Sequence, residues 1–356
     1  MGAGRVTTGR LTTRLWARRA VLFVLLVALF VLLALVYAWA MPDLTPASHP
    51  HPTVSYEQAV ARIDAERRQD GPHVAYHAMF LGQGSKTTTS VVLFHGFTNA
   101  PRQMEELARA YAARGYNVYV PRMPHHGFAD RMTEDLANAN RQELIAWTDD
   151  AIDIGAGLGN HVIVSGLSAG ATLSAWAAKN RSEVSEAVLV APLIRPKLTP
   201  AWEVKPIYQL TPALPPIWLW WNPAKKQEQK APEMAYPRYP LRALGDFLAV
   251  ADGVAHGSPQ RRGKLARVVV ITNEADGAVC NDVALDVLGR DLRPLSGEWV
   301  TYSIPASRGW KHDLIDPLGE NVGRSAEIYR ALLPMYGLSE TTQKAIKGGV
   351  GADAVP

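Results

Sequence analysis

The feature that most constrains the fold is an alternation of short apolar segments with amphipathic helical patterns. Seven segments are short and largely apolar, and these are the predicted strands: 75–81, 90–94, 117–120, 161–165, 187–191, 267–272 and 299–304. Helical patterns lie between them, such as the long stretch 133–154 and the i, i+3, i+4, i+7 spacing of Met104, Leu107, Ala108 and Tyr111. Runs that are apolar throughout are typical of parallel strands covered on both faces. The alternation therefore predicts an α/β fold with a mostly parallel central sheet and helices on both sides.

One segment interrupts this alternation. About 70 residues separate the fifth predicted strand from the sixth, and they include the Pro- and Trp-rich stretch PALPPIWLWWNP at 212–223. A structureless connection of this length is uncommon in a compact domain, so residues 193–263 are predicted to form a cap or lid inserted between core segments 55–192 and 264–340. Trp218, Trp220 and Trp221 either pack this cap on to the body or form an apolar acyl pocket or a lipid-contacting surface.

The N-terminal region predicts a transmembrane helix. Residues 20–40 form a stretch of 21 residues without a charge, and crossing a bilayer takes about 20. Five arginines and no acid lie in the basic segment 1–19, and Tyr37 and Trp39 lie at the far end of the apolar stretch. This asymmetry places the N-terminus in the cytoplasm and the remaining chain outside, from the Pro-rich spacer 41–54 to the tail 341–356.

A cleaved signal peptide is the alternative for the same region. Residues 38–40 read AWA, which matches an A-x-A cleavage site and would release a secreted domain near Ala40. The apolar stretch is longer than the roughly 7 to 15 residues of an ordinary signal peptide, so a retained anchor is favoured. Both interpretations export the same domain.

Charge and cysteine usage exclude two further classes. The formal net charge is +4, but the five N-terminal arginines account for +5, which leaves −1 for the rest of the chain. A nucleic-acid partner is therefore not expected, because such proteins carry a basic patch on the folded domain. The single cysteine, Cys280, cannot form an intramolecular disulfide or a sulfur-based zinc cluster, and it is interpreted as a small buried apolar residue.

Residues 166–170 read GLSAG, a G-x-S-x-G motif that is too short to be specific by itself. Its surroundings are more informative, because the strand pattern HVIVS precedes it and the helical pattern ATLSAWAAK follows it. A serine in a sharp turn between strand and helix is held clear of the backbone and can act as a nucleophile. Ser168 is therefore the predicted nucleophile.

A serine hydroxyl is a weak nucleophile at neutral pH, so it requires a base, and the base requires an acid. Two histidines follow Ser168 in the sequence. His256 falls within the predicted insertion, whereas His312 follows the last predicted strand after a short loop. His312 is therefore the predicted base.

The acid is expected in the loop NEADGAVC, which follows the strand at 267–272. Asp276 lies at the tip of this loop and is preferred to Glu274, which lies nearer the strand. Asp313 is adjacent to His312, but neighbouring side chains in a turn usually diverge, so it is interpreted as a capping or surface carboxylate.

The oxyanion of a tetrahedral intermediate needs hydrogen-bond donors, which in this architecture are backbone N–H groups. One is expected from Ala169, directly after the nucleophile and at the start of a helix. The other is expected from Phe97 in the loop HGFTNAP, where Gly96 permits a tight turn.

The adjacent His125 and His126 raise the question of a metal site. Adjacent histidines rarely bind one ion together, and no third ligand is apparent near them in the sequence, so no metal is expected. His126 is interpreted as a structural hydrogen-bonding residue, and His95 as support for the turn at Gly96. The proposed chemistry needs no cofactor.

Together these motifs resemble the α/β-hydrolase superfamily, nearest its carboxylesterase, monoacylglycerol lipase and lysophospholipase-like branch. The resemblance covers roughly residues 75–335 and rests on HGFTNAPRQM, GYNVYVPRMPHHG, GLSAG and the later Asp276 and His312. It implies Ser168 as nucleophile, with Phe97 and Ala169 as oxyanion donors. Two departures lie beside the implied site: relatives usually have PGHG where residues 124–127 read PHHG, and often glycine where Asn273 stands.

The sequence therefore predicts a membrane-anchored, extracytoplasmic serine hydrolase that cleaves carboxylic esters, with lipid or acylglycerol esters among its candidate substrates. A peptidase or amidase with the same triad is the alternative, because this fold hosts both chemistries. A second alternative is a non-catalytic binding protein of the same fold at the membrane, which the presence of nucleophile, acid and base disfavours.

Overall fold

The structure is a computed structural model that describes residues 7–42, 46–228, 233–316 and 318–338. The predicted tail 341–356 lies outside the described residues, as do parts of the basic N-terminus (1–6), the spacer (43–45) and the insertion (229–232). The strands in chain order are β1 (Met79–Leu81), β2 (Thr87–Phe94), β3 (Asn117–Val120), β4 (Gly159–Leu167), β5 (Val184–Val190), β6 (Trp218–Trp220), β7 (Arg238–Pro240), β8 (Leu265–Asn273) and β9 (Ser296–Ile304).

Seven of these strands form the central sheet, in the order β1-β3-β2-β4-β5-β8-β9. β1 is antiparallel to β3, and every other neighbouring pair in this sheet is parallel. The predicted mostly parallel sheet is confirmed, and each predicted strand overlaps one that is observed. The first is shorter than predicted because the N–H groups of Ala75 and Tyr76 donate to the carbonyl of Gly127 rather than to a strand.

Helices cover both faces of this sheet. The helices of the described chain are α1 (Thr7–Ala40), α2 (Tyr56–Gln69), α3 (Glu105–Ala112), α4 (Arg141–Leu158), α5 (Ala169–Asn180), α6 (Ala201–Leu210), α7 (Leu241–His256), α8 (Asn281–Asp291) and α9 (Ser325–Leu332), and α1 is not part of the layers over the sheet. Residues 90–94 of β2 and 162–167 of β4 are buried without interruption. Since successive side chains on a strand point to opposite faces, neither face of these strands meets solvent. The helix predicted at 133–154 begins later, at Arg141, because the side chain of Asn140 caps it.

The predicted insertion contains α6, the antiparallel pair β6 and β7, and α7. α7 packs against α5 and buries Phe247, Leu248 and Val250 in the core. It therefore contributes to the helical layer over the sheet as well as to the cap. The division between core and insertion at 193 and 263 remains a prediction.

α1 contains a 25-residue segment, Trp16–Ala40, whose most apolar 18-residue window has a mean hydropathy of 3.2. It is long enough and apolar enough to cross a bilayer, and within the described ranges no other helix is. Most of its side chains are exposed, but Ala38 is fully buried. The ammonium of Lys205 lies 6.0 Å from the ring centroid of Trp39, and Gln209 donates to the carbonyl of Pro42 at 3.1 Å. The end of α1 therefore packs against α6.

A buried ion cluster joins α4 to the segment between α5 and β5. The fully buried guanidinium of Arg181 binds Asp149 at 2.9 Å, Glu183 at 3.0 Å and also Asp153. Buried carboxylates need such a partner, because burial without one is costly. Arg181 therefore neutralises charges that α4 carries into the interior.

The described part of the spacer lies along α4 and uses the same carboxylates. Ser48 Oγ and the N–H of His49 donate to Asp149 at 2.6 and 2.7 Å, and the N–H of His51 donates to Asp153 at 2.9 Å. Residues 48–51 are thus fixed to the body of the domain. The ion cluster links the chain that leaves α1 to the interior.

Replacing the central cation tests this cluster. We expect Arg181→Gln to destabilise the protein by about 3–5 kcal/mol, because breaking a buried ion pair leaves uncompensated charge. Arg62→Gln is the control, since Arg62 pairs with Asp150 on the surface and exposed pairs contribute roughly 0–1 kcal/mol. Thermal unfolding of the detergent-solubilised full chain measures both. Equal melting temperatures for the two variants would contradict a structural role for the cluster.

Candidate active site

Ser168 occupies a strained turn between β4 and α5. Its φ is 58° and its ψ is −116°, outside the regions that a side chain-bearing residue favours. Three backbone bonds hold this conformation: the N–H of Ser168 donates to the carbonyl of Val190 at 2.9 Å, and its carbonyl accepts the N–H groups of Thr172 and Leu193, both at 3.1 Å. Ser168 is partly exposed although Leu167 and Ala169 on either side are buried. The turn therefore presents its hydroxyl to the surface.

Close packing explains both glycines of the motif. A Cβ on Gly166 would lie 2.2 Å from the carbonyl carbon of Gly170, and one on Gly170 would lie 2.1 Å from the carbonyl oxygen of Phe94. Neither position has room for a side chain. This approach brings Ser168 next to the loop that follows β2.

The predicted base and acid are hydrogen-bonded to each other. His312 Nδ1 lies 2.7 Å from Asp276 Oδ2, although 36 residues separate them in the sequence. Asp276 is 1% exposed, and its other oxygen accepts the N–H groups of Ala278 at 2.7 Å and Val279 at 3.2 Å. Glu274, the less favoured acid, is exposed and turned towards the residues after β9.

The contact between Asp276 and His312 shifts the pKa of both side chains. Burial raises the pKa of Asp276, but the hydrogen bond and charge of His312 and the two backbone N–H groups outweigh it, and the net pKa is lowered. Burial lowers the pKa of His312, whereas the hydrogen bond and charge of Asp276 raise it, and the net pKa is raised. An ionised Asp276 fixes the proton of a neutral His312 on Nδ1, which leaves Nε2 free to accept another.

The loop after β2 is held by a dense set of hydrogen bonds. The N–H of Gly96 donates to Gln103 Oε1 at 2.7 Å, that of Thr98 to His126 Nε2 at 3.1 Å, and that of Asn99 to the carbonyl of Gly96 at 3.1 Å. Thr98 has a positive φ of 65°, which completes a tight turn. The loop is therefore rigid before any substrate binds.

Phe97 and Ala169 are the predicted oxyanion donors. Among the described residues no acceptor is found for the N–H of Phe97, in contrast to those of its neighbours in the loop. The N–H of Ala169 lies in the first turn of α5, where backbone donors have no partner within the helix. The two residues follow the adjacent parallel strands β2 and β4, whose carboxyl ends lie at the same edge of the sheet.

Two buried histidines support this loop. His95 Nε2 accepts the N–H of Met123 at 3.1 Å, and its Nδ1 donates to the carbonyl of Gly96 at 3.0 Å. His126 Nδ1 donates to the carbonyl of Pro124 at 2.7 Å. Burial lowers the pKa of His95 to about 4 and that of His126 well below its usual value, so both stay neutral. The ring nitrogens of His95 and His126 thus bond backbone groups of the loops, as expected of residues that support the structure.

Comparison with known proteins places the chain in a family. The alpha/beta hydrolase family matches residues 91–318, which span the nucleophile, acid and base positions. The chain belongs to this family. A thermostable monoacylglycerol lipase from Bacillus sp. (strain H-257) is 33% identical over 94 residues, which cover 26% of this hydrolase and 36% of the lipase.

Solved structures agree with the family assignment. A structure from the pair of metagenome-derived lipolytic enzymes LipS and LipT matches with a TM-score of 0.54 and 20% identity, over 74% of this chain and 98% of the matched chain. A soluble variant of Saccharomyces cerevisiae monoglyceride lipase matches with a TM-score of 0.55 and 13% identity, over 77% of this chain and 92% of the lipase. Paleococcus ferrophilus monoacylglycerol lipase matches with a TM-score of 0.54 and 16% identity, over 77% of this chain and 99% of the lipase. The predicted α/β-hydrolase fold is confirmed, and the predicted esterase and lipase class agrees with these relatives.

The three tryptophans of the hydrolase's cap occupy different environments. Trp221 Nε1 donates to Thr98 Oγ1 at 2.9 Å, and its ring lies 6.2 Å from that of Phe97, centroid to centroid. The guanidinium of Arg238 lies 4.2 Å from the ring of Trp218, and Trp220 has Lys226 at 5.7 Å. Of the three, Trp221 contacts the loop after β2, residues 95–101, which carries the predicted donor Phe97 and is called the oxyanion loop.

His125 stands where relatives of the hydrolase usually have glycine. Its φ is positive, at 64°. Nδ1 lies 2.7 Å from Asp135 and Nε2 lies 2.9 Å from Glu143, so both ring nitrogens contact carboxylates. The side chain thus joins its loop to α4 and to the segment before it.

Sequence reasoning missed Asn273 as a positioning residue. Its Nδ2 donates to the carbonyl of Trp310 at 2.9 Å, and its Oδ1 accepts the N–H of Ala275 at 3.1 Å. The side chain of Asn273 therefore connects the loop that carries Asp276 to the segment before His312. The available signal was its departure from the glycine that relatives often carry.

The structure corrects two interpretations from the sequence in part. Asp313 is a capping carboxylate, since its Oδ1 accepts the N–H of Asp316 at 3.3 Å, but it is not at the surface, because it is buried and accepts a hydrogen bond from Gln103 at 3.1 Å. Cys280 is not fully buried, and its Sγ lies 3.1 Å from the guanidinium of Arg195. In both cases the partner is more than 80 residues distant in the sequence, so local pattern carried no sign of it.

Proposed function

We propose that this α/β-hydrolase is a serine hydrolase that cleaves carboxylic esters through Ser168, His312 and Asp276. The observation that carries the proposal is the hydrogen bond between His312 and a buried Asp276 at the sheet edge where the strained Ser168 also lies. Tertiary structure brings acid and base together from separate loops. The strained conformation of Ser168 in a sharp turn between strand and helix supports a catalytic use of that residue.

The reaction proceeds through an acyl-enzyme. The substrate carbonyl lies between Ser168 Oγ and the N–H groups of Phe97 and Ala169. His312 Nε2 takes the hydroxyl proton as Oγ attacks, and the two N–H groups stabilise the oxyanion. His312 then protonates the leaving alcohol, and water, activated by the same histidine, releases the carboxylic acid.

Esters are favoured over amides because all the relatives described above are lipases or lipolytic enzymes. The aromatic surroundings of the oxyanion loop support an apolar acyl group: the ring of Phe97 lies 5.3 Å from that of Tyr239 and 5.1 Å from that of Phe247. A peptidase or amidase on the same triad is the alternative. A non-catalytic binding protein is disfavoured, since it would have no need of the strained Ser168.

We further propose that α1 anchors the protein in a membrane with the catalytic domain on the extracytoplasmic side. The arginines before the apolar stretch and the aromatic residues at its end support this orientation. The cap beside α1 exposes several apolar side chains, which would lie near the bilayer surface: Leu198, Trp202, Leu214 and Ile217. Lipid esters could then reach the site directly from the membrane.

Anchoring predicts that the full chain stays with membranes after a high-pH wash and that detergent extracts it. Protease added to the extracytoplasmic side of intact cells should digest the domain. Recovery of a soluble external form that begins near Met41 would favour signal cleavage instead. Protection from external protease would contradict the proposed orientation.

Ser168→Ala should abolish labelling by a fluorophosphonate probe, because the probe forms a bond only with an activated serine. Ser185→Ala is the control, since this hydroxyl lies on β5 and donates to the carbonyl of Val162. In-gel fluorescence of the full chain reads out both variants. Labelling that survives Ser168→Ala, or its absence from the folded wild-type protein, would refute the assignment.

The pH dependence follows from the raised pKa of His312. The base must be neutral, so kcat/KM for a soluble ester should rise as pH increases through a pKa above the ordinary 6.5. Asp276→Asn removes the main cause of that upward shift, so the rise should move to lower pH. The variant should also lose about 10³ to 10⁴-fold in kcat, because the wrong tautomer is favoured. An unchanged midpoint in Asp276→Asn would contradict the pairing.

Trp221 should influence acyl-chain preference, whereas Trp218 should not. We expect Trp221→Leu to reduce kcat/KM for a decanoyl ester at least about 10-fold more than for an acetyl ester, because an apolar contact is lost beside the site. Trp218→Leu is the matched control, and it should affect both esters alike. Equal losses on the two esters in Trp221→Leu would assign that residue to packing.

A further inference from the structure

A buried side chain bridges the loop that carries the base and the loop that carries the oxyanion donor. Gln103 Oε1 accepts the N–H of Gly96 at 2.7 Å, and Gln103 Nε2 donates to Asp313 Oδ1 at 3.1 Å. Gln103 is 2% exposed. Because Asp313 directly follows His312 and Gly96 directly precedes Phe97, this one amide couples the positions of the base and the oxyanion donor.

Asp313 is one of two adjacent buried carboxyl groups. Its Oδ1 also accepts the N–H of Asp316 at 3.3 Å, and the side chains of Asp316, Asp313 and Asn99 interact. Asp316 Oδ1 accepts the N–H of Leu318 at 2.8 Å. In the part of the chain that the structure describes, Asp316 Oδ2 is buried without a hydrogen-bond donor. A proton shared by the two carboxyl groups would satisfy that oxygen.

Few charges balance this pair. Arg102 acts favourably on the ionised form of Asp316, and His312 acts favourably on that of Asp313 when the imidazole is protonated. The carboxyl of Glu106 and the phenol of Tyr329 interact electrostatically with the pair from α3 and α9, and Glu320 interacts with His312. Burial, with the charge of Asp316 added, raises the pKa of Asp313 to about 7.

We propose that Gln103 and Asp313 are positioning residues that hold the oxyanion loop against the base loop, and that they do so while Asp313 and Asp316 share one proton. The inference rests on the triad proposed above. With the proton present, Asp313 keeps Oδ1 as the acceptor for Gln103 and donates from its other oxygen to Asp316. When the proton leaves, two buried negative charges repel each other, and Gln103 and Gly96 move with Asp313.

The first test is the pH profile of kcat on a soluble ester, measured with the detergent-solubilised full chain. Wild-type kcat should rise as His312 loses its proton and fall again above neutral pH as Asp313 loses its own. Asp313→Asn supplies an oxygen to Gln103 and an N–H to Asp316 at every pH, so the alkaline fall should disappear. Asp286→Asn, an exposed site on α8, should retain the wild-type profile.

The second test separates positioning from folding. Gln103→Met removes both hydrogen bonds at similar volume, and kcat should fall roughly tenfold or more with KM nearly unchanged, because oxyanion donors act mainly on the transition state. A melting temperature close to that of the wild type shows that the variant is folded. If Gln103→Met does not fold, the pH profile of Asp313→Asn still tests the proposed positioning role.

Two results would overturn the inference: an alkaline fall that is the same in wild type and Asp313→Asn, or a folded Gln103→Met with an altered KM and wild-type kcat. Failure of the triad itself gives a different result. In that case the fluorophosphonate probe does not label Ser168 in the wild-type protein, and no variant shows a pH-dependent kcat.

Discussion

The close approach of three backbone segments is the constraint on which the site depends. β4, the first turn of α5 and the end of β2 meet where Gly166, Gly170 and Phe94 leave no space for an additional Cβ. This packing forces the chain through a sharp turn at Ser168 and points the first N–H groups of α5 at the same region as its hydroxyl. It also places the oxyanion loop beside the turn. The proposed nucleophile and the two proposed oxyanion donors are thus positioned by the same close packing.

Burial governs the ionisation of the residues around this turn, with opposite results in different places. The ring nitrogens of His95 and His126 bond backbone groups, and the cation Arg122 lies nearby, so burial lowers the pKa of both histidines and they serve as uncharged hydrogen-bonding supports. His312 is buried as well, but it contacts the ionised Asp276, which reverses the direction of its shift. Low polarity amplifies whichever partner is present. A buried histidine is therefore suited to catalysis here only where a carboxylate accompanies it.

The segment predicted to form a cap is hydrogen-bonded directly to the loop that carries Phe97. The N–H of Tyr236 donates to the carbonyl of Thr98 at 2.8 Å, and Trp221 donates to the hydroxyl of the same residue. Thr98 has a positive φ and follows the oxyanion donor Phe97. Movement of the predicted cap would therefore displace the oxyanion loop through these two hydrogen bonds. Under the membrane anchoring proposed above, this connection would couple contact with lipid to the geometry of the candidate site.

The sequence by itself determined the seven strands of the central sheet and the principal candidates for the site. Apolar runs identified these strands, and the run is continuous in inner strands such as β2 and β4, which are buried on both faces. The motif around Ser168 was recognisable because the steric requirement for glycine is local. Chain order then selected His312, and loop position favoured Asp276.

Apart from His95 and His126, the residues that support those candidates were decided by the tertiary structure. Gln103 and Asp313 lie 210 positions apart, and no local pattern links an amide on one loop to a carboxyl on another. Asn273 and Trp221 likewise acquire their contacts only when separate loops meet above the sheet. Side-chain partnerships of this kind depend on distances in space, and periodicity along a chain encodes burial but not the identity of a distant partner.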